Sequence, residues 1–424
     1  MKKHLITALF FVLIFALIGC DYGGNEVPNV ENYETYYTVT FDYNDGSGRT
    51  ESVRLKEGSS YEGLEPYEFS EHYEIIGWSL SPNNQVENLL TAIYSDTTLY
   101  AMWERYEVIT YSEKVFQDVL KMRFAEFAPE STDPNALSGK ELKIGSTVKH
   151  LVLTGSSVIY DNFSILVLDR STDLYITFNN FCYNSHKSVA LGAQKMDGSY
   201  TVTINAHNEE NLIQCTGTNT DERRGGDCIV LPNIAMVGTG TLVLVSGDGS
   251  SVADRPEAPQ GHDGENGLNG YNGGYGINTK SMTIEDTTLY IATGNGGNGG
   301  KGGDGNSSIF HVSNGGRGGD GGNGGTAINT TKFSAANASL IIQTGNGGNG
   351  GKGGRCGSNG SGGNGGNGGN GGNGFNILLT DAVYIDTYTE FIGGKYGYGW
   401  EGGHSMHSAG NHGNNGYSGM SNIP

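Results

Sequence analysis

From about residue 142 onward, apolar and polar positions alternate in short bursts. HLVLTG, ILVLD, LYITFNN and YTVTINA are runs of Val, Ile, Leu, Tyr and Phe bounded by Asn, Asp, Ser, Thr and Gly. Period-two alternation in segments of this length predicts strands. Helical spacing is absent from this part of the chain. Self-comparison decides the architecture. INTKSMTIEDTTLYIATGNGGNGGKGG from Ile277 and INTTKFSAANASLIIQTGNGGNGGKGG from Ile328 align without a gap at an offset of 51 residues. GFNILLTDAVYIDTYTEFIGGKYG from Gly374 and CIVLPNIAMVGTGTLVLVSGDG from Cys228 are divergent copies. Each reads as strand, strand, strand, then a glycine-rich excursion. Such a unit cannot bury a face alone and must stack on its neighbours. A single-chain parallel β-helix over 141–424 is therefore expected. A Greek-key sandwich is the alternative, but it gives no gapless repeat.

Ahead of the repeats the periodicity changes twice. In 36–105, YYTVTFDYNDGSG alternates and then turns at Asn44-Asp45-Gly46, which predicts a strand entering a hairpin. ESVRLKEGSSY, YEIIGWS and SDTTLYAMWE supply further strands. In 112–127, Val115, Phe116, Val119, Leu120 and Phe124 fall at helical spacing behind Ser112, a suitable N-cap. The segment 106–140 is expected to be a capping helix and linker that covers the first solenoid layer.

The glycine runs keep a strict phase. Side-chain-bearing residues fall on every third position: Asn295, Asn298, Lys301 and Asp304; Asn314, Arg317, Asp320 and Asn323; Asn346, Asn349, Lys352 and Arg355; Ser361, Asn364, Asn367, Asn370 and Asn373. A flexible linker has no reason to hold that phase through changes of residue type. A polyproline-II helix has three residues per turn, so every third side chain lies on one edge and glycine occupies the other two. Paired outgoing and returning runs, with 264–276 and 410–419 as weaker members, predict about six antiparallel strands of a polyglycine-II-like bundle extending as fingers from about residue 261. GGKGGDG and GGRGGDG start like the calcium nonapeptide, but Asn306 and Gly322 stand where a large apolar residue is needed.

Charge and the amino terminus bear on location. The formal net charge is −20, and loss of Lys2 and Lys3 with a signal segment deepens it by two. That balance excludes nucleic acid as the expected partner. Lys2 and Lys3 precede an apolar stretch ending in Leu17-Ile18-Gly19-Cys20. This resembles a bacterial lipoprotein signal. The resemblance implies a signal peptide over 1–19, lipidation of Cys20, a lipidated tether over 20–35 and attachment to a membrane at the cell envelope. Cys182, Cys215, Cys228 and Cys356 remain; Cys215 and Cys228 bracket a polar loop and are the candidate disulfide. No C-x-x-C occurs, and no metal or cofactor is expected.

Two further resemblances follow from specific residues. Val39, Phe41, Asn44, Gly46, Gly58, Gly77, Trp78, Thr98, Leu99, Tyr100, Ala101 and Trp103 resemble the Listeria–Bacteroides repeat, a β-grasp-like module of bacterial surface proteins. Val202, Ile204, Asn211, Ile213, Ile229, Gly238, Gly240 and Leu242 resemble bacterial carbohydrate-binding β-helix domains, with Met236 and Leu244 departing from the pattern. That resemblance implies acidic-polysaccharide binding. Trp78 and Trp103 are expected in a small core. Candidate ligand-binding residues are Tyr396, Tyr398, Trp400, His404 and Tyr417, which lie among glycines, and Phe310 in the turn NSSIFHVS, whose apolar cluster is expected to pack on the neighbouring tip. Arg223 and Arg224 read as a solvated loop. No Ser/His/Asp or paired-carboxylate arrangement stands out. The expected function is non-catalytic binding or adhesion, to glycans or a host or neighbouring surface. A structural spacer or coat protein is the second reading, and a β-helix polysaccharide lyase the third.

Overall fold

A computed structural model describes residues 34–61, 73–83, 92–105, 107–110, 119–122, 124–129, 131–208, 211–376, 382–405 and 408–420. The signal segment, Cys20 and residues 111–118 of the expected helix lie outside the described residues, as does His407. The chain divides into two compact units, 1–104 and 105–424.

The first unit contains β1 (Tyr36–Asp42), β2 (Thr50–Lys56), β3 (Tyr73–Ser79) and β4 (Thr97–Arg105). Their sheet order is β2-β1-β4-β3. β1 and β2 form the antiparallel hairpin, and β1 runs parallel to β4. At the turn, Asn44 and Gly46 take positive φ, 50° and 80°, which Asn and Gly tolerate best. Alternate residues Val39 and Phe41 face a core with Tyr43, Ile75, Trp78, Leu99 and Ala101. Trp78 stands edge-on to Phe41 at 5.0 Å, and the Trp103 indole N–H donates to the Tyr43 carbonyl at 2.7 Å. Both tryptophans are thus held by the module itself.

The second unit is a parallel β-solenoid. It comprises β5 (Glu107–Thr110), β6 (Phe124–Ala128), β7 (Glu141–Ile144), β8 (His150–Thr154), β9 (Ile159–Tyr160), β10 (Ser164–Val167), β11 (Leu174–Asn179), β12 (Cys182–Ser185), β13 (Val189–Ala193), β14 (Val202–His207) and β15 (Asn211–Cys215). A small hairpin, β16 (Thr218–Asn219) and β17 (Arg224–Gly225), interrupts the winding. The chain continues with β18 (Asp227–Val230), β19 (Asn233–Val237), β20 (Thr241–Val245), β21 (Ile277–Asn278), β22 (Ser281–Glu285), β23 (Thr288–Ala292), β24 (Ile328–Asn329), β25 (Lys332–Ala336), β26 (Ser339–Gln343), β27 (Phe375–Asn376), β28 (Ala382–Ile385) and β29 (Tyr388–Ile392). From β7 on, each coil contributes one strand to each of three parallel faces.

Register explains the apolar pattern. Leu142, Ile165, Leu191, Ile229, Ile277, Ile328 and Phe375 stack on the first face. Leu151, Ile176, Ile204, Met236, Ile284, Ala335 and Tyr384 stack on the second. Tyr160, Tyr183, Ile213, Leu244, Ile291, Ile342 and Phe391 stack on the third. All but Tyr384 and Phe391, on the last coil, are buried in one continuous core. Met236 and Leu244 fill the same inward stacks as their neighbours.

Two expectations are corrected here. The helix over 112–127 does not extend through its carboxyl end: Phe124–Ala128 is β6, parallel to β8, and Leu120 bridges Ile144. Ala125 and Phe127 are fully buried over Leu151 and Leu153. Stacking onto an existing parallel face outweighs helical spacing. The disulfide between Cys215 and Cys228 is not formed; Cys182, Cys215, Cys228 and Cys356 are free thiols. Burial pushes the Cys215 thiol up to about 12 and raises Cys228 well above its ordinary value.

Candidate functional site

Between successive coils from β20 onward, the chain leaves the third face, travels outward and returns. We number the extended segments run 1 (248–258), run 2 (263–274), run 3 (294–305), run 4 (314–325), run 5 (345–355), run 6 (361–374), run 7 (394–403) and run 8 (408–420). Odd runs go out and even runs return. Sequence reasoning missed run 1, which has few glycines, and did not read run 7 as an outgoing run. Their signal was Asp248, Ser251 and Asp254 at a spacing of three, then Lys395, Tyr398 and Glu401.

Each three-residue period spends its three N–H groups in three directions. We call its members the slot, the first position and the second position. Within the odd layer, first-position N–H groups donate to slot carbonyls of the next coil: Gly296 to Asn346 at 2.7 Å, Gly299 to Asn349 at 2.9 Å, Gly305 to Arg355 at 2.8 Å. Second-position N–H groups cross to the antiparallel layer: Gly322 to Gly297 at 2.8 Å and Gly319 to Gly300 at 2.9 Å. In runs 3 to 8 the slot N–H has no backbone acceptor among the described residues. It donates instead to the slot side chain one coil earlier: Asn346 to Asn295 Oδ1, Asn349 to Asn298 Oδ1 and Arg355 to Asp304 Oδ1, all at 2.8 Å.

This explains the composition of the slot. Asn, Asp and Ser carry an acceptor on a stem short enough to reach the neighbouring N–H. The even layer repeats the device: Asn314, Arg317, Asp320 and Asn323 donate their N–H to Asp263, Asn266, Asn269 and Asn272 at 2.7–2.9 Å. Lys301, Lys352 and Arg317 have no acceptor to offer. Accordingly the amides of Lys352, Glu401 and Asn364 find no partner among the described residues. Two of these cations bond one turn along their own run, Lys301 to Asp304 at 2.7 Å and Arg317 to Asp320 at 2.5 Å. Burial would raise the Asp304 carboxyl, but the Lys301 and Arg355 hydrogen bonds outweigh it and hold it below the usual carboxylate value.

The glycines are required by position. A Cβ on a first-position glycine such as Gly296 would strike the Gly322 carbonyl in the antiparallel layer. One on a second-position glycine such as Gly297 would strike the Ser250 carbonyl one coil earlier. The sequence relaxes where one of those neighbours is missing. Run 2 has no earlier run in its layer, and three of its four second positions are Glu265, Leu268 and Tyr271; the fourth, Gly274, packs against the Gly226 carbonyl. Run 8 has no later antiparallel neighbour, and its first positions are His412, Asn415 and Ser418. Run 7 departs further, with Tyr396 and Trp400 at two glycine positions; it is the last run of its layer.

The base of run 2 is clamped by residues expected to be solvated. The Arg224 guanidinium donates to Asp227 at 2.6 Å, pairs with Glu222 and lies 4.4 Å from the Tyr275 ring centroid. Asp227 is fully buried and accepts the Tyr275 N–H at 2.7 Å. Burial raises the Asp227 carboxyl above its ordinary value despite Arg224. Arg223 donates to the Asn269 carbonyl at 2.7 Å and stacks over Tyr271. Arg223 and Arg224 therefore tie hairpin β16–β17 to run 2.

The candidate ligand residues do not form one site. Tyr396 and Tyr398 meet edge to face at 5.5 Å, and Trp400 follows on the same run, with Lys352 Nζ 5.2 Å from its ring centroid. Tyr398 is 58% exposed. Tyr417 is a slot of the even layer, 80% exposed, and so lies on the opposite face from the Tyr398 slot. The His404 carbonyl, at the end of run 7, lies 3.9 Å from Cys356 Sγ. Phe310 is far along the run 3–run 4 tip, where the expected packing does not occur: Ile309 and Phe310 are 89% and 92% exposed. The tip backbone is nonetheless held, by paired bonds between Ser308 and His311 and by Ser313 Oγ on the Asn306 carbonyl. Among the described residues, no group of His, Cys, Asp and Glu is arranged to hold a metal ion.

The fold and these surfaces define a β-solenoid protein with hydrogen-bonded glycine-rich runs on one side. No family model, curated protein or solved structure matches this chain.

Proposed function

We propose that this is a non-catalytic binding or adhesion protein of the cell envelope and that its ligand is a glycan. The observation that carries the reading is the Tyr396, Tyr398 and Trp400 group. These rings sit on a run whose backbone is pinned by Gly347, Gly350 and Gly353 donating to the carbonyls of Lys395, Tyr398 and Glu401. Aromatic faces suit the C–H faces of sugars, and a fixed backbone lowers the ordering cost of binding. In this reading the runs form a polyglycine-II-like bundle, the first unit is a β-grasp-like surface module, and lipidated Cys20 anchors the chain. The resemblance of 200–245 to carbohydrate-binding β-helices supports the same ligand class. A glycan array with the chain from residue 36 onward tests it. Binding of at least one polysaccharide is expected, and Tyr398→Ala with Trp400→Ala is expected to weaken it about tenfold, the equivalent of ~1.4 kcal/mol. Unchanged binding in the double variant would remove the aromatic site.

One observation favours the spacer reading. The Asn and Asp slot side chains are largely engaged as rungs within the runs, which leaves fewer of them free to meet a ligand. A folded protein that binds no glycan on the array would support that alternative.

A further inference from the structure

The turn that joins runs 3 and 4, residues 306–313, is anchored at its base and bare at its apex. On the run 1–run 2 side, the Gly261 N–H donates to the Asn306 carbonyl at 2.5 Å and the Asn306 N–H to the His262 carbonyl at 3.1 Å. On the run 5–run 6 side, Ser307 Oγ donates to the Ser358 carbonyl at 3.1 Å. The turn spans eight residues, whereas the turns beside it, 259–262 and 356–360, span four and five. The longer loop carries Ile309 and Phe310, 89% and 92% exposed, and Val312, 50% exposed. The first two are the most exposed large apolar side chains among the described residues.

Two features decide what this apex can meet. It is convex, and its polar groups are spent within the turn. Ser308 and His311 exchange both backbone bonds, at 3.0 and 3.3 Å, so Ile309 and Phe310 are the two central residues of a paired turn. The Phe310 N–H reaches Ser308 Oγ at 3.4 Å, and the Ser313 N–H reaches Ser307 Oγ at 3.1 Å. Ser313 Oγ donates to the Asn306 carbonyl at 2.9 Å, and His311 Nδ1 lies 2.8 Å from the Val312 carbonyl. Few hydrogen-bonding groups therefore lose water when the apex enters an apolar medium. The same economy leaves few directional groups with which a protein pocket could read it. The second feature is charge. The chain holds 45 Asp and Glu and 25 Lys and Arg, yet none falls in 258–262, 305–313 or 356–362. An end without formal charge can approach the acyl boundary of a bilayer without desolvating an ion.

We propose that the run 3–run 4 turn inserts Ile309 and Phe310 into a phospholipid bilayer. Runs 3 and 4 already hold the turn, so insertion orders little additional backbone. Two side chains bind more weakly than one myristoyl chain, whose binding constant is about 10⁴ M⁻¹. The contact is therefore reversible. A second copy of the chain is disfavoured as the occupant: two convex apexes that meet bury far less than the ~1,000 Å² of a specific interface.

Co-sedimentation with sucrose-loaded phosphatidylcholine vesicles tests this, at lipid from about 0.1 to 10 mM, the range set by that constant. The chain from residue 36 onward keeps strands β1 to β29 and lacks the expected anchor segment. Its bound fraction is expected to rise with lipid. Ile309→Ser with Phe310→Ser is expected to lower it at least about fivefold with the far-ultraviolet spectrum unchanged, and Phe310→Leu to keep it within about twofold. No binding at the highest lipid concentration would overturn the proposal. So would equal binding by the double serine variant. Self-association that the same two substitutions abolish, without vesicle binding, would overturn it in favour of a second copy. The vesicles carry no sugar and the substitutions leave run 7 untouched, so the result stands apart from the glycan reading.

Discussion

A short side chain with an acceptor at its tip is what the slot position demands. Asn298 meets it by taking the Asn349 N–H at 2.8 Å. Asn298→Ala is expected to cost about 1 kcal/mol, the net value of one such bond, whereas Asn298→Asp is expected to be close to neutral. Denaturant unfolding of both variants checks this; equal losses would refute the acceptor role. Glycine is demanded on different grounds. Gly299→Ala places a methyl against the Gly319 carbonyl, while Leu268 has no run beneath it. Gly299→Ala should lower the melting temperature by several degrees and Leu268→Ala by little. The thiols give a separate check. Cys182, Cys215 and Cys228 are buried and Cys356 is half-buried. Iodoacetamide at pH 8 should alkylate Cys356 far faster than the other three, since thiolate and access are both needed. Rapid labelling of Cys215 would contradict its burial.

A single run is not stable alone. Ordering twelve residues costs at least about 12 kcal/mol of backbone entropy. If only the two glycines of each period donated, eight bonds at about 1 kcal/mol would fall short by about 4. The slot amides add four more bonds when Asx or Ser lies below, which brings the run close to balance. The phase of the glycines was legible in the sequence because it is a strict period of three. The role of asparagine was not, because its partner lies one whole coil away. The same distance hid β6: Leu120 and Phe124 fall at helical spacing, and only Leu151 and Leu153, a coil away, show Ala125 and Phe127 to be on a strand. At the base of run 2, Arg224 and Asp227 are neighbours in sequence, but the Tyr275 N–H and ring that complete the clamp lie a whole coil further along. Burial holds the Asp227 carboxyl above its unfolded value. Its contribution is therefore present below the ordinary aspartate value and is lost as pH rises through the folded one. Melting temperatures from pH 4 to 7 should fall less in Asp227→Asn than in the parent. Parallel curves would show that Asp227 is not the source.

For the whole molecule, the solenoid sets the spacing that the runs require. Parallel strands pair Ile277 with Ile328 and Ile328 with Phe375, and the same offsets, 51 and 47, recur in the bonds between runs. The coil-on-coil stacking was readable from the gapless repeat. The division of the aromatic residues between two faces was not, since it depends on run 7 being an outgoing run of the odd layer and run 8 a returning run of the even one. Order in the runs is thus inherited from the strands and completed by the side-chain rungs. Amide hydrogen exchange resolved along run 5 tests that claim most directly. Asn346, Asn349 and Arg355 donate to rungs below, whereas Lys352 sits above Lys301 and has none. The first three amides are predicted to exchange at least about tenfold more slowly than Lys352 after correction for intrinsic rates. Equally fast exchange at all four would mean that the rungs do not form.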